Sequence, residues 1–126
     1  SHYDQVVFFN TQTSTFNSIQ VKNVYNYSDA KAKENIQSLS QSLSILKLLR
    51  PVSYNFTDNS DNTKFRKGGD GKEIGLLAQE VEQVLPNIVL TDPDGNKLIN
   101  YTSLIAVLID AVKDLNEKVS ALEAQQ

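Results

Sequence analysis

The chain of 126 residues contains no cysteine, no tryptophan and no methionine, and one histidine, His2. Without cysteine there is no disulfide, no thiolate nucleophile and no cysteine-based zinc site. A single histidine beside the first residue leaves histidine triads and histidine-rich metal centres almost no material. Basic residues are also few: 12 Lys and Arg stand against 15 Asp and Glu, a net charge of −3 with a pI near 5.0. Nucleic-acid binding rests on basic surface, so that partner class is disfavoured. Apolar runs are short. None approaches the roughly 18 residues that a membrane helix requires, and no signal-peptide pattern is visible.

What is present is ordinary for a globular chain: 40% hydrophobic and 21% charged residues, enough for one modest core. One domain, or one domain with a flanking segment, fits this length. Residues 3–27 are rich in Asn, Gln, Ser and Thr, with β-favouring bursts at Val6 to Phe9 and Phe16 to Tyr27. In the second burst Ile19, Val21 and Asn23 alternate with Gln20, Lys22 and Val24, which predicts short strands between polar turns. The pattern then changes. Ile36, Leu39, Leu43 and Leu46 follow 3-4-3 spacing and predict an amphipathic helix over 36–49, halted by Pro51. Val52, Tyr54 and Phe56 alternate with Ser53 and Asn55, as in a half-buried strand.

Residues 58–71 are polar and Gly-rich, and the basic cluster Lys64, Arg66, Lys67 and Lys72 is read as a solvated loop. Ile74 to Leu77 fits a buried strand end, and Gln79 to Leu85 a short helix stopped by Pro86. Ile88–Leu90 and Lys97–Asn100 flank "TDPDGN", whose Pro, Asp and Gly stand in turn order, so a hairpin is expected there. Asp92 and Asp94 belong to that turn. The remainder of a calcium-binding loop is missing, and no metal site is assigned.

The final segment carries a heptad pattern. Ile105, Val112 and Val119 fall at positions a, and Leu108, Leu115 and Leu122 at positions d. Lys118 at g and Glu123 at the following e have the spacing that pairs charges between parallel helices. Leu104, Val107 and Ile109 widen the apolar surface in the first half, as expected where a helix packs on its own domain. The second half narrows to a seam for self-association. By coiled-coil rules, Ile and Val at a with Leu at d favour two strands.

One stretch carries possible chemistry: "NVYNYSDAKAKENIQSL", residues 23–39. A serine hydroxyl needs a base, and with histidine scarce the base would be a lysine whose pKa is lowered by burial or a neighbouring cation. On a regular helix Lys31 would share the face of Ser28, whereas Lys33 would lie about 140° round. Helical geometry therefore favours Lys31. On the residue types alone, a plain helix cap by Ser28 or Asp29 is the better reading.

Four segments in one order carry a resemblance: "SDAKAKENI", "LLRPVSYNF", "GLLAQEVEQVLP" and "NYTSLIAVLIDAVKDLNEKVSALE". Together they resemble the C-terminal intramolecular chaperone domain of endosialidase tailspikes, with relatives on tail fibres, bacterial surface proteins and myelin regulatory factor. The resemblance covers about Ser28 to Glu123. It implies an α+β fold of short strands and small helices with a long C-terminal helix over 102–126, assembling as a homotrimer. Residues 1–27 would be the β-rich end of an upstream fibre or spike, and 28–126 the chaperone domain. Its implied function is to assist folding of that N-terminal segment and then to cut itself free. Ser28 would be the nucleophile and Lys33 the base of a Ser–Lys dyad, with scission between Tyr27 and Ser28. Asp29, Gly75, Gln79 and Glu80 match family motif positions and would support the site or the local backbone. The implied partners are copies of the chain and its own fibre segment, on a virion or a bacterial surface. No cofactor, nucleic acid, membrane or small-molecule substrate is implied.

Overall fold

A computed structural model describes residues 5–57 and 71–126. The architecture is α+β, and the chain divides into two compact units, Ser1–Ser38 with Asn55–Lys72 and Leu39–Tyr54 with Glu73–Gln126.

In the first unit, β1 (Phe9–Asn10) and β2 (Thr15–Phe16) form a small antiparallel hairpin. The Asn10 side chain accepts from Gln12 N and Thr13 N, and Ser14 takes φ 56°, so the turn is locally specified. Phe9 and Phe16 pack edge to face with ring centroids 5.4 Å apart. Of the short strands expected within Phe16 to Tyr27, only the one ending at Phe16 forms. A strand needs a neighbour for its backbone donors and acceptors; Asn17 N still donates to Phe8 O, but no strand pairing is formed by residues 18–29 among the described residues. Ile19, Val21, Val24, Tyr25 and Tyr27 are consequently exposed, Tyr25 by 91%. A 3-10 turn over Ala30–Ala32 closes this stretch.

The second unit holds the core. Helix α1 covers Ser42–Leu46, much shorter than the expected 36–49. Gln41 adopts φ 61°, a left-handed conformation that a continuous helix cannot contain, and Asn35 does likewise at φ 55° in the first unit. Serines at 38, 40, 42 and 44 add side-chain competition for the backbone. Leu39 is exposed in this unit. Strand β3 (Val52–Tyr54) pairs with β4 (Glu73–Gly75) in antiparallel register, Ser53 opposite Ile74. The expected buried end at Ile74 is corrected: its side chain is 86% exposed, because the pleat turns Glu73 and Gly75 inward instead.

Helix α2 (Ala78–Val84) ends where Pro86 opens a 3-10 turn, Pro86–Ile88. Strands β5 (Val89–Thr91) and β6 (Lys97–Ile99) make the expected hairpin. Within it, Asp92 Oδ1 accepts from Asp94 N and Asn96 N, both at 2.9 Å, and Gly95 takes φ 85°. Val81, Ile88 and Leu104 form the centre of the core, with Leu49, Leu76, Leu85, Val89 and Ile99 packed around it.

Helix α3 runs Ser103–Glu123 and packs against α1. Leu104, Val107 and Ala111 face inward, as the wider apolar stripe of the first half requires. Ile109, grouped with that stripe from spacing, is exposed instead. Ile105, Leu108, Val112, Leu115, Val119 and Leu122 are all exposed on the single chain. Of the basic cluster in the polar loop, Lys64, Arg66 and Lys67 lie outside the described residues.

Candidate active site

Ser28 lies between the unpaired stretch and the 3-10 turn, and the turn determines what reaches it. Asp29, with extended backbone, caps the turn: its Oδ1 accepts from Lys31 N at 3.0 Å. Ala32 N donates to Asp29 O at 3.1 Å and Lys33 N to Ala30 O at 3.0 Å, closing the turn. Lys33 leaves it extended, with φ −119° and ψ 145°. Its side chain then returns to Ser28, where Nζ donates to Oγ at 2.6 Å. Lys31 points elsewhere, its Nζ standing 3.6 Å from Asp29 Oδ2.

The helical argument for Lys31 fails for a structural reason. Ser28 precedes the cap, so no helical face extends back to it, and the five-residue separation is bridged by one tight turn. Ser28, Asp29, Lys31 and Lys33 are all exposed in the single chain. Tyr27, on the other side of the candidate bond, is exposed too. A hydroxyl beside an amine is the minimal arrangement for general-base activation of a serine.

The other motif residues belong to the second unit, where their own contacts define them. Gly75, at the end of β4, lies under the Tyr101 hydroxyl, which accepts from Leu76 N at 2.9 Å. A β-carbon on Gly75 would meet that oxygen at 2.8 Å. Tyr54 on β3, paired with Glu73 of β4, has its phenol pushed up by burial, and then by Tyr101 and Glu73 nearby. Gln79 is exposed on α2. Glu80 receives Arg50 as a fork, Nη2 to Oε2 at 2.7 Å and Nε to Oε1 at 3.4 Å. That hydrogen bond and charge hold the Glu80 carboxyl below its ordinary range and raise Arg50.

Sequence reasoning gave Arg50 and Tyr101 no role. Both stand inside quoted motifs, Arg50 just before Pro51 and Tyr101 just before α3. A guanidinium beside a strand and a carboxylate on a helix are a recognisable pair, but a separation of 30 positions hides the contact from local spacing.

Residues 28–90, half of the chain, match the peptidase family described as chaperone of endosialidase. The chain belongs to this family. The match begins at Ser28 itself. Long tail fiber proteins Gp37 are also similar: that of Enterobacteria phage K3 is 32% identical over 124 residues, 94% of this chain. That of Escherichia phage AR1 is 31% identical over 108 residues, 82% of this chain. The chain spans only 9% of the length of each of these relatives.

Proposed function

We propose that this member of the family is a self-cleaving intramolecular chaperone of a phage tail fibre. It assembles as a homotrimer, assists folding of a β-rich fibre segment N-terminal to it, and cuts the bond between Tyr27 and Ser28. The observation that carries the reading is the 2.6 Å contact between Lys33 Nζ and Ser28 Oγ in a chain whose family match starts at Ser28. The tail fibre relatives support the partner and the virion location.

The chemistry follows from the two side chains. Neutral Lys33 takes the Ser28 hydroxyl proton as Oγ attacks the Tyr27 carbonyl carbon. The tetrahedral intermediate collapses by breaking the C–N bond, and the proton passes to the departing Ser28 nitrogen. An ester between Tyr27 and Ser28 Oγ remains. Water, deprotonated by the same amine, then hydrolyses it to a Tyr27 carboxylate and a free Ser28 hydroxyl. The fragment released begins with Ser28 as an amino terminus. Lysine acts as a base only where burial or a neighbouring cation disfavours its charge. Both side chains are exposed on the single chain, so assembly is the step that would bury them. Cutting would then follow trimer formation.

The same exposure favours a second reading, a trimerisation module that stays attached to its fibre. Intact mass after expression separates the two. A species spanning Ser28 to Gln126 in the wild type, absent in Ser28→Ala and Lys33→Ala and still released in Lys31→Ala, supports self-cleavage. A folded, trimeric wild type that stays full length establishes the attached module instead.

A further inference from the structure

The contacts of Asp29 point to a function of their own, which rests on the reading of Ser28 and Lys33 given above. We infer that Asp29 is a positioning residue: it holds Lys31 and closes the turn that delivers Lys33 to Ser28. Both carboxylate oxygens face the same residue, Oδ1 bonding Lys31 N at 3.0 Å and Oδ2 lying 3.6 Å from Lys31 Nζ. The carboxylate therefore fixes the start of the turn, and its second oxygen lies toward the Lys31 ammonium.

The two contacts differ in weight. The Lys31 and Asp29 side chains are 80% and 46% exposed, so the ion pair is screened by water and contributes little. The cap bond satisfies a backbone donor that the turn would otherwise leave without an intramolecular acceptor, and it fixes the direction of the next residues. The chain then closes through Ala32 N to Asp29 O and Lys33 N to Ala30 O. Lys33 departs extended from that closed turn and reaches Ser28 Oγ. Asp29 touches neither reacting atom. It works through the turn, and an asparagine, which caps as well as aspartate, should replace it.

The chain is made by cell-free synthesis, and appearance of the fragment beginning at Ser28 is followed by intact mass. Asp29→Ala is expected to slow release by about fivefold, the loss of closed-turn population that an ordinary N-cap deletion causes. Asp29→Asn restores most of that loss. In the uncleavable Ser28→Ala background, amide hydrogen exchange at Lys31, Ala32 and Lys33 accelerates with Asp29→Ala and stays slow with Asp29→Asn. Release from Asp29→Ala at the wild-type rate, or an Asp29→Asn variant as slow as Asp29→Ala, overturns the positioning role. If the wild type releases nothing, the reading of Ser28 and Lys33 fails. The exchange data still decide the turn in that case, since unchanged protection in Asp29→Ala overturns the inference by itself.

Discussion

A β-carbon at position 75 would lie 2.8 Å from the Tyr101 hydroxyl, closer than non-bonded atoms come, so Gly75→Ala must displace the ring. The displaced hydroxyl loses its bond to Leu76 N, and the expected cost is about 1–3 kcal/mol in urea unfolding. Tyr101→Phe alone loses the bond and costs about 1 kcal/mol. In the double variant the clash is gone, so its cost falls well short of the sum; a strictly additive pair would show that the two residues do not communicate. Gly95→Ala provides the contrast, because space is open there and only φ 85° is strained, costing about 1 kcal/mol. The Arg50–Glu80 fork predicts a pH effect. Glu80 is held below its ordinary value of 4.5 in the folded chain, so its contribution is present above that value and is lost as pH falls through the lower folded one. Thermal unfolding followed from pH 6 down to about 3 should drop more steeply in wild type than in Glu80→Gln, and the difference should shrink in high salt. None of these partnerships was legible in residue spacing. The glycine and the glutamate stand out as motif positions, but Tyr101 bonds Leu76 beside the glycine across 25 positions and Arg50 meets the glutamate across 30.

Helices α1 and α3 separate what hydropathy patterning tells from what it omits. Helix α3 was legible because its apolar spacing is sustained from Leu104 to Leu122 without glycine or proline, and one stripe of it is buried. The same spacing from Ile36 to Leu46 yields helix only from Ser42, because left-handed Gln41 interrupts the path and no periodicity count detects it. The hairpin β5–β6 was legible through its turn chemistry. The stretch 17–27 forms no strand although its residues alternate, because alternation predicts a strand without saying where its hydrogen-bonding neighbour comes from. Helix α1 also begins without a cap of its own. Gln41 offers no side-chain bond, and Ser42 N donates instead to Asp110 Oδ2 of α3 at 3.2 Å. Asp110 therefore caps one helix from another, next to the buried face of Ala111 and Val107. Asp110→Ala is expected to destabilise the chain by about 1 kcal/mol in urea unfolding and Asp110→Asn by much less. Equal losses would show that packing rather than the cap secures α1.

Among the described residues, the buried apolar set is small beside the exposed one. Val81, Ile88, Leu104, Val107 and Ala111 are buried, while the heptad positions of α3 and the apolar residues from Ile19 to Tyr27 face solvent. An exposed apolar stripe along one helix marks association, and the six heptad residues of α3 define its geometry. Val112 and Leu115 are exposed by 63% and 50%, so replacing both by lysine removes little packing from the single chain. In an assembled seam the same substitutions place like charges together in the core. The Val112→Lys/Leu115→Lys variant is therefore expected to keep its far-ultraviolet circular dichroism and to scatter light as a monomer. Wild type should scatter as a trimer; a dimer would side with the two-strand preference of Ile and Val at a with Leu at d. If assembly supplies the burial that turns Lys33 into a base, the monomeric variant also stays uncleaved although Ser28 and Lys33 are intact. A monomer that still releases the Ser28 fragment would show that the 2.6 Å contact acts within one chain. Cutting would then be independent of assembly, and the proposed order, trimer first and cut second, would fail.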